Sequence, residues 1–317
     1  MENAILDIQN VSVRFANGSA VQAVEQVSLS VFPSDKLCII GETGSGKSIL
    51  LLSVLRLLPA SAVVSGDVFF HGQSLFAISP KQMDGVRGGQ ISYVPQGSGN
   101  GMNPLLSVGF QVGEPLIAHR GMNKKRAIAR AVELMRRFHL GREEELARQY
   151  PYTLSGGMRQ RALIAMGISA DAELLLFDEP TSALDPGMIG EVQAVIRMLA
   201  KSGITMMIVT HEMDFARKIA NRVFFMDEGG IYEEGTPKEI FERPQKPNTI
   251  KFIKRLTSLT YKIETVDYDF TEAYDELQQY AEKLLIENER ISDLQIALEE
   301  IVVNNIMENT DAPQVLV

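Results

Sequence analysis

Apolar and polar residues alternate along the first part of the chain. The alternation runs through Ile5–Ile8, Val11–Phe15 and Val27–Val31. Successive side chains of a β-strand point to opposite faces of a sheet, so this pattern is typical of strands with one buried face. We therefore expect an N-terminal antiparallel β subdomain within residues 4–40.

Continuous apolar runs, each associated with a helical pattern, follow the alternating segments. Leu37–Ile40 leads through a glycine-rich turn into Ile49–Leu58, and residues 174–177 precede a helical pattern at 189–200. Ile204–Val209 is a third run of this kind. Strands that are buried on both faces and alternate with helices are typical of an α/β fold. The pattern predicts a core with a parallel sheet.

A helical region separates the first of these runs from the second. Residues 123–139 carry apolar side chains at helical spacing with arginines between them. We expect the segment from about 97 to 165 to interrupt the α/β core as an inserted α-helical subdomain.

The charge balance changes near residue 260. Residues 260–317 carry 14 acidic and 3 basic side chains, and the whole chain has a formal charge of −9. Such an asymmetry indicates a domain boundary, and an acidic surface repels a phosphate backbone, so no nucleic-acid partner is expected. We predict a main domain at 1–240, a linker at 241–259 and a small α-rich extension at 260–317, with amphipathic helices at Tyr274–Glu289 and Asp293–Met307.

Composition excludes several classes of protein. A hydrophobic content of 45% is ordinary for a globular chain. The single cysteine, Cys38, lies in an apolar run, which excludes an internal disulfide framework and favours a buried thiol. No run approaches the roughly 20 apolar residues of a membrane-spanning helix, and no signal-peptide pattern opens the chain. We expect a cytoplasmic protein that reaches a membrane only through a partner.

A glycine-rich segment follows the first apolar run and fits the phosphate-loop pattern G-x-x-x-x-G-K-[ST]. Glycines allow the backbone to curl, so that successive N–H groups point at phosphate oxygens. Lys47 is placed to reach the β- and γ-phosphates of a nucleotide, and the Ser48 hydroxyl to coordinate Mg²⁺. A glycine turn without a ligand is the alternative, which the strand before and the helix after disfavour. The segment consists of Gly41, Glu42, Thr43, Gly44, Ser45, Gly46, Lys47 and Ser48.

Two adjacent carboxylates end the second apolar run. Asp178 and Glu179 follow the strand predicted at 174–177. In a parallel sheet the carboxyl ends of neighbouring strands meet at one edge, so both acids are expected beside the phosphate loop. Asp178 would hold Mg²⁺, directly or through water, and Glu179 would orient or deprotonate the attacking water. Strands also end in solvated acids, but the loop upstream favours the catalytic interpretation.

Further motifs, in one consistent order over residues 4–236, resemble those of the ATP-binding cassette (ABC) ATPases. Leu154–Met158 resembles the signature sequence that distinguishes this family from other phosphate-loop proteins. The remaining motifs are Gln96, similar to the family's Q-loop glutamine, Ser182–Asp185, similar to its D-loop, His211, similar to its switch histidine, and Phe15, similar to the aromatic residue that stacks on adenine.

The resemblance implies a P-loop NTPase core whose active centre is shared between two molecules. In that family the signature of one subunit closes the nucleotide site of the other, so that two cassettes pair head to tail around two ATP molecules. The implied catalytic residues are Glu179, His211 and Gln96, and the implied Mg²⁺ ligands are Ser48, Asp178 and Gln96. Nucleotide contacts implied outside the phosphate loop are Phe15, Ser155, Gly156, Gly157 and Asp185.

The resemblance also implies a transport ATPase at the cytoplasmic face of a membrane. Its expected partners are a second cassette, identical or paralogous, integral membrane permease subunits and a solute-binding protein. A soluble cassette that acts on nucleic acid or the ribosome is the alternative. Members of that kind usually carry two cassettes or a long coiled-coil insertion, and this sequence has neither.

Three segments are similar to the importer group that handles oligopeptides, dipeptides and nickel. Asn103 and Pro104 follow Gln96 at the spacing usual in the group. Tyr150–Arg161 and Phe241–Thr249 resemble two later segments of the same group.

Several positions depart from that group. Gly97 and Ser98 replace the usual Asp-Pro after the glutamine, and Lys246 and Asn248 replace a histidine and a tyrosine. Thr210–Met213 is equally similar to importers of polar amino acids, which remain an alternative.

Two interpretations of the acidic extension stay open. Its amphipathic pattern is typical of an accessory docking or dimerisation element. Glu300–Asn304 weakly resembles the N-box of histidine-kinase-type ATPases, in which the asparagine helps to bind Mg²⁺. The glycine-rich motifs that should follow an N-box are missing, so we expect no second ATP site.

Overall fold

The computed structural model describes most of the chain before residue 255 and short segments after it. Contacts divide the chain into two compact units, Met1–Lys254 and Arg255–Val317. The described residues are 3–15, 21–97, 101–254, 262–263, 274–275, 277–278, 291–292, 295–296 and 315–316.

Two sheets organise the described part of the first unit. The smaller sheet is antiparallel with the order β2-β1-β4-β5, and the larger has the order β10-β9-β3-β8-β7-β6. In chain order the strands are β1 (Leu6–Phe15), β2 (Val21–Val31), β3 (Lys36–Ile40), β4 (Ala62–Phe70), β5 (Gln73–Ser74), β6 (Ile91–Val94), β7 (Leu174–Asp178), β8 (Thr205–Val209), β9 (Arg222–Asp227) and β10 (Gly230–Gly235).

The helices lie between these strands and after them. Four of them, α3 to α6, stand between β6 and β7, where an inserted helical subdomain was expected. In chain order the helices are α1 (Lys47–Val54), α2 (Pro80–Val86), α3 (Val108–Arg120), α4 (Lys124–Arg137), α5 (Glu143–Leu146), α6 (Gly156–Ser169), α7 (Pro186–Lys201), α8 (Met213–Ile219), α9 (Pro237–Glu242) and α10 (Pro247–Lys254), with a short 3₁₀ turn at Pro151–Thr153 before α6.

The large sheet separates two hydrophobic cores. Its strands β9, β3, β8, β7 and β6 pair in parallel, and β10 pairs antiparallel at one edge. Leu37 and Ile39 of β3 pack with the antiparallel sheet and α1, whereas Cys38 and Ile40 pack with the helices of the other face. Alternate side chains therefore fill opposite cores, which explains why the strand reads as a continuous apolar run. The predicted fold class is confirmed.

The two strands predicted at Ile5–Ile8 and Val11–Phe15 are one strand, β1, with an irregular pairing register between Ile8 and Val11. Asn10 adopts a left-handed conformation with φ of 49° at this point, and its N–H donates to Ser28 Oγ at 2.9 Å. Asparagine tolerates this conformation better than most residues, so the chain forms a bulge there and continues the strand.

Polar side chains fix where several helices begin. Asn123 caps α4 by accepting a hydrogen bond from the Arg126 N–H, and Ser155 caps α6 by accepting one from the Met158 N–H. At α9, Thr236 and Glu239 form a reciprocal capping box. Each cap satisfies backbone donors that have no partner inside the helix and stabilises it by about 1 kcal/mol.

Cys38 is fully buried in β3, as its apolar neighbours predict. Burial without a compensating charge raises the pKa of its thiol to about 12. The side chain therefore behaves as a small apolar residue of the core.

Helix α10 belongs to the first unit and lies in the segment expected to be a linker. Its Phe252 packs against the core, with its ring centroid 5.0 Å from that of Phe225 in β9. Glu233 of β10 accepts hydrogen bonds from the backbone N–H groups of Gln245 and Lys246 just before the helix. These contacts attach α10 to the edge of the large sheet.

The second unit is described only in part. Residues 262–263 pair antiparallel with 315–316, and the described pairs at 274–275, 277–278, 291–292 and 295–296 are helical. Most of the helices expected at 274–289 and 293–307, and all of Glu300–Asn304, lie outside the described residues.

The boundary after Lys254 predicts how the chain responds to shortening. A chain ending at Lys254 should fold with a melting temperature close to that of the full chain. A chain ending at 240 should melt several degrees lower, because it lacks Phe252 and the rest of α10. Thermal unfolding followed by circular dichroism measures both, and aggregation of the chain that ends at Lys254 would show that the boundary is misplaced.

Candidate active site

The phosphate loop joins β3 to α1, and two of its glycines have conformations and surroundings that exclude a side chain. Gly41 has a φ of 153°, and a Cβ there would lie 2.1 Å from the Met226 carbonyl oxygen. Gly46 has a φ of 94°, and a Cβ there would lie 2.2 Å from the Ala23 carbonyl oxygen. Only glycine fits both positions, so the curled loop depends on them.

Lys47 is buried at the start of α1, with 5% of its surface exposed. Its Nζ donates hydrogen bonds to the carbonyl oxygens of Gly41 at 2.9 Å and Glu42 at 2.5 Å, and to Ser45 Oγ at 3.2 Å. Burial lowers the pKa of Lys47, and the nearby carboxylates, Glu179 first, oppose that effect. The loop therefore holds an ammonium group at the end of the sheet where the acids lie.

Asp178 ends β7 in a buried position and is hydrogen-bonded through both carboxylate oxygens. Ser48 Oγ donates to Oδ1 at 2.7 Å. The Tyr93 hydroxyl donates to Oδ2 at 2.9 Å. The predicted metal-binding pair of Ser48 and Asp178 is thus in direct contact, and its oxygen atoms are of the kind that Mg²⁺ prefers.

Glu179 follows β7 in a strained conformation, with a φ of 42°. Its N–H donates to the Val209 carbonyl oxygen at 2.9 Å, which continues the pairing with β8. Its Oε2 accepts a hydrogen bond from Gln96 Nε2 at 3.2 Å and lies 3.3 Å from His211 Nδ1. A left-handed residue other than glycine is uncommon and is often found at functional sites. The three predicted catalytic side chains therefore meet at one carboxylate oxygen.

A network behind His211 fixes the loop that carries it. Glu212 accepts hydrogen bonds from Thr181 Oγ1 and from Gln193 Nε2, and its N–H donates to Thr210 Oγ1 at 3.0 Å. The His211 side chain itself remains 55% exposed. The backbone is anchored while the imidazole faces solvent, so it is accessible to a bound group.

Lys47, Ser48, Gln96, Glu179 and His211 border one open cavity of about 710 Å³, and Asp178 is not among its lining residues. A volume of this size is typical of small-molecule and cofactor sites. The cavity is lined by Gly41, Glu42, Thr43, Gly44, Gly46, Lys47, Ser48, Ile49, Gln96, Glu179, His211 and Phe252.

The five nucleotide contacts predicted outside the phosphate loop lie elsewhere, and Ser45 of the loop does not line the cavity either. None of Phe15, Ser155, Gly156, Gly157 and Asp185, all among the described residues, lines this cavity. Phe15 ends β1 and packs against the core that the antiparallel sheet covers. Asp185 is exposed at the start of α7.

The signature segment is held by its own chain. The Gly157 N–H donates to Met188 Sδ at 3.2 Å, and a Cβ on Gly157 would lie 3.0 Å from Met188 Cβ. Arg161, one turn into α6, donates to the carbonyl oxygens of Gly157 and His139 and pairs with Glu191 at 2.9 Å. These contacts join the inserted helices to α7 and keep the start of α6 in a defined position.

Sequence reasoning did not identify two side chains at the site. Tyr93 lies in β6, three residues before Gln96, and its hydroxyl donates a hydrogen bond to Asp178. Phe252 lies after the cassette motifs, and only the packing of α10 brings it to the cavity. Neither position follows from local pattern, because both depend on which strands and helices become neighbours.

Within the described residues, no group of three or more His, Cys, Asp or Glu side chains is placed to hold a metal ion. Among the described helices, none has both the length and the apolar character needed to cross a bilayer.

The family model described as "ABC transporter" matches residues 24–182. A dipeptide transport ATP-binding protein of Bacillus subtilis is 36% identical over 249 residues, which cover 77% of this chain and 74% of that protein. An oligopeptide transport ATP-binding protein of the same organism is 35% identical over 259 residues, which cover 80% of this chain and 72% of that protein.

Solved structures give the same result. The dimeric ATP-binding cassette MJ0796, in a post-hydrolysis state bound to ADP and Pi, superposes with a TM-score of 0.65 and 27% identity over 73% of this chain and 98% of that chain. CbiO1 of Clostridium perfringens, part of the ABC transporter complex cbiONQ, superposes with a TM-score of 0.60 and 25% identity over 76% and 91% of the two chains. Since sequence, fold and site agree, the chain belongs to the ABC transporter family, as one of its ATP-hydrolysing cassettes.

Proposed function

We propose that this ATPase powers a peptide importer, with Mg²⁺-ATP bound between two cassettes that pair head to tail. The observation that carries the proposal is the convergence of Lys47, Gln96, Glu179 and His211 on one cavity in a chain of this family. Relatives that match more than two thirds of their own length are named for dipeptide and oligopeptide transport, which supports the substrate class.

The phosphate loop binds the triphosphate in this proposal. Its N–H groups and the first turn of α1 supply donors and a positive helix end for the β- and γ-phosphates. Lys47 already lies over the loop and would exchange its carbonyl acceptors for phosphate oxygens. Because the ammonium group is held in place, little side-chain entropy is lost on binding.

Ser48 and Asp178 would hold Mg²⁺, with Gln96 as a further oxygen donor. Magnesium commonly binds one or two protein oxygens together with phosphates and water, so the hydrogen-bonded pair of Ser48 and Asp178 suits it. Once bound, the ion would supply positive charge that stabilises the negative charge developing during phosphoryl transfer.

Glu179 would act on the attacking water. A general base needs a free lone pair and a fixed position, and the hydrogen bond from Gln96 fixes one oxygen, Oε2. The side chain is 16% exposed, so the carboxylate is largely shielded from bulk solvent while open to the cavity. His211 shares the same oxygen and lies at the cavity wall, where it can contact the γ-phosphate.

The second half of the site would come from a partner cassette. Ser155, Gly156 and Gly157 open α6, a helix of 14 residues, so their N–H groups and the helix dipole suit an anion. In the described part of the chain, these three residues do not line the cavity of their own molecule. Pairing head to tail gives each cavity the signature of the other molecule, with Phe15 on the adenine and Asp185 at the junction.

Transport requires further subunits. We place the cassette dimer at the cytoplasmic face of the membrane, bound to integral permease subunits that receive peptide from a solute-binding protein. Closing and reopening of the dimer with each ATP cycle would switch the permease between its two orientations.

The importer proposal is tested by purification from native membranes. The tagged chain should co-purify with multi-span permease subunits and a second cassette. In reconstituted vesicles, its ATPase rate should rise with peptide-loaded binding protein. Stimulation by a polar amino acid or by Ni²⁺ instead of peptide would contradict the substrate class.

The role of Glu179 predicts a separation of binding from turnover. Glu179→Gln should lower the rate of ATP hydrolysis by about 100-fold or more, since the general base is lost. ATP affinity should stay within about threefold of the unmodified chain, and ATP should trap a dimer detectable by light scattering. An unchanged hydrolysis rate would exclude Glu179 as the base.

The composite site predicts a different result for Ser155→Asp. Aspartate preserves the cap on α6 but opposes the γ-phosphate by charge. Hydrolysis should be lost, whereas ATP affinity measured on dilute, monomeric protein should not change. Ser155→Asn is the matched control, because it also caps the helix and carries no charge. Weaker ATP binding by the Ser155→Asp monomer would contradict a signature that acts in the partner's site.

A further inference from the structure

Tyr93 contacts the active site through its hydroxyl alone. The residue lies in β6, half-buried among apolar side chains of the core shared with the antiparallel sheet. Its hydroxyl donates to Asp178 Oδ2 at 2.9 Å, while Ser48 Oγ donates to Oδ1 at 2.7 Å. Both oxygens of the Asp178 carboxylate are therefore held by separate donors on separate elements.

The sheet fixes the position of that hydroxyl. In the parallel pairing of β6 with β7, Tyr93 lies opposite Leu176, so the phenol reaches along the sheet to the carboxylate two residues further on. An ionised carboxylate can only accept hydrogen bonds, so the phenol hydroxyl is the donor in this contact.

A second hydrogen-bond donor restricts the rotation of the Asp178 carboxylate. The terminal torsion of an aspartate is broad, so a carboxylate with one partner turns easily. With Tyr93 on one oxygen and Ser48 on the other, the rotation of Asp178 is fixed before a metal ion binds. Loss of a side chain that orients a metal ligand in this way typically lowers metal affinity or activity about 10- to 100-fold.

We propose that Tyr93 is a positioning residue for Mg²⁺, which fixes the Asp178 carboxylate so that it meets the ion together with the Ser48 hydroxyl. The inference rests on the proposed function, which places Mg²⁺-ATP at these two residues. It extends the site to a residue that does not line the cavity.

The same segment also positions the other acid. Gln96, three residues after Tyr93, donates to Glu179 at 3.2 Å. Tyr93 in β6 and Gln96 just after it therefore hold Asp178 and Glu179, respectively, through separate hydrogen bonds. A change confined to Tyr93 should affect the metal-binding acid and leave the catalytic one in place.

The experiment is Tyr93→Phe, which removes the hydroxyl and keeps the packed ring. The Mg²⁺ concentration for half-maximal hydrolysis should rise roughly tenfold, with the rate at saturating Mg²⁺ within about twofold of the unmodified chain. Affinity for a fluorescent ATP analogue in EDTA should not change. Tyr152→Phe is the matched control, because Tyr152 is 71% exposed and lies away from the cavity.

A second readout does not depend on activity. In the Glu179→Gln background with ATP bound, Mn²⁺ affinity measured by electron paramagnetic resonance should fall roughly tenfold on adding Tyr93→Phe, and not on adding Tyr152→Phe.

Two results would overturn the assignment of Tyr93. One is an unchanged metal affinity in the Tyr93→Phe protein. The other is a loss of ATP affinity in EDTA together with a lower melting temperature, which would show a purely structural role. If the unmodified chain bound no ATP at all, the proposed function would fail and this inference with it.

Discussion

The register of the parallel strands is the constraint on which the active site depends. Val209 of β8 lies opposite both Ile39 of β3 and Asp178 of β7, so the three strands end at one level. The phosphate loop, the acids and the His211 loop all leave the sheet from that level. A shift of one residue in one strand would turn its side chains to the opposite core, and burial of both faces prevents it. The catalytic geometry is therefore set by the hydrophobic packing of the sheet.

Much of this arrangement was predictable because the information is local. The glycine pattern of Gly41–Ser48 and the acids at the end of an apolar run specify a loop and a strand end from neighbouring residues alone. Other features depend on which elements become neighbours. Strand β4 and the single bulged strand β1 follow from pairing within the antiparallel sheet. The positions of Tyr93 and Phe252 follow from packing, for which one sequence contains no local sign.

The position of the start of α6 depends on contacts with other elements of the same chain. The contacts made by Gly157 and Arg161 are within the chain, to Met188 of α7, to His139 after α4 and to Glu191. They connect the inserted helices to α7, which begins after Asp185. If a membrane subunit displaced the inserted helices, these contacts would displace α7 as well. In the proposed dimer, the start of α7 would lie near the nucleotide of the partner, so these contacts would connect the inserted helices to that site.

The buried state of Cys38 has a practical consequence. It is the single cysteine of the chain and lies inside β3, with a thiol pKa of about 12. The reactive thiolate form is therefore disfavoured, and the surrounding core shields the sulfur from reagents. Maleimide dyes and spin labels should therefore not react with Cys38 in the folded protein. Cysteines introduced on the surface can be labelled selectively, so interprobe distances in working complexes become measurable without first removing a native thiol.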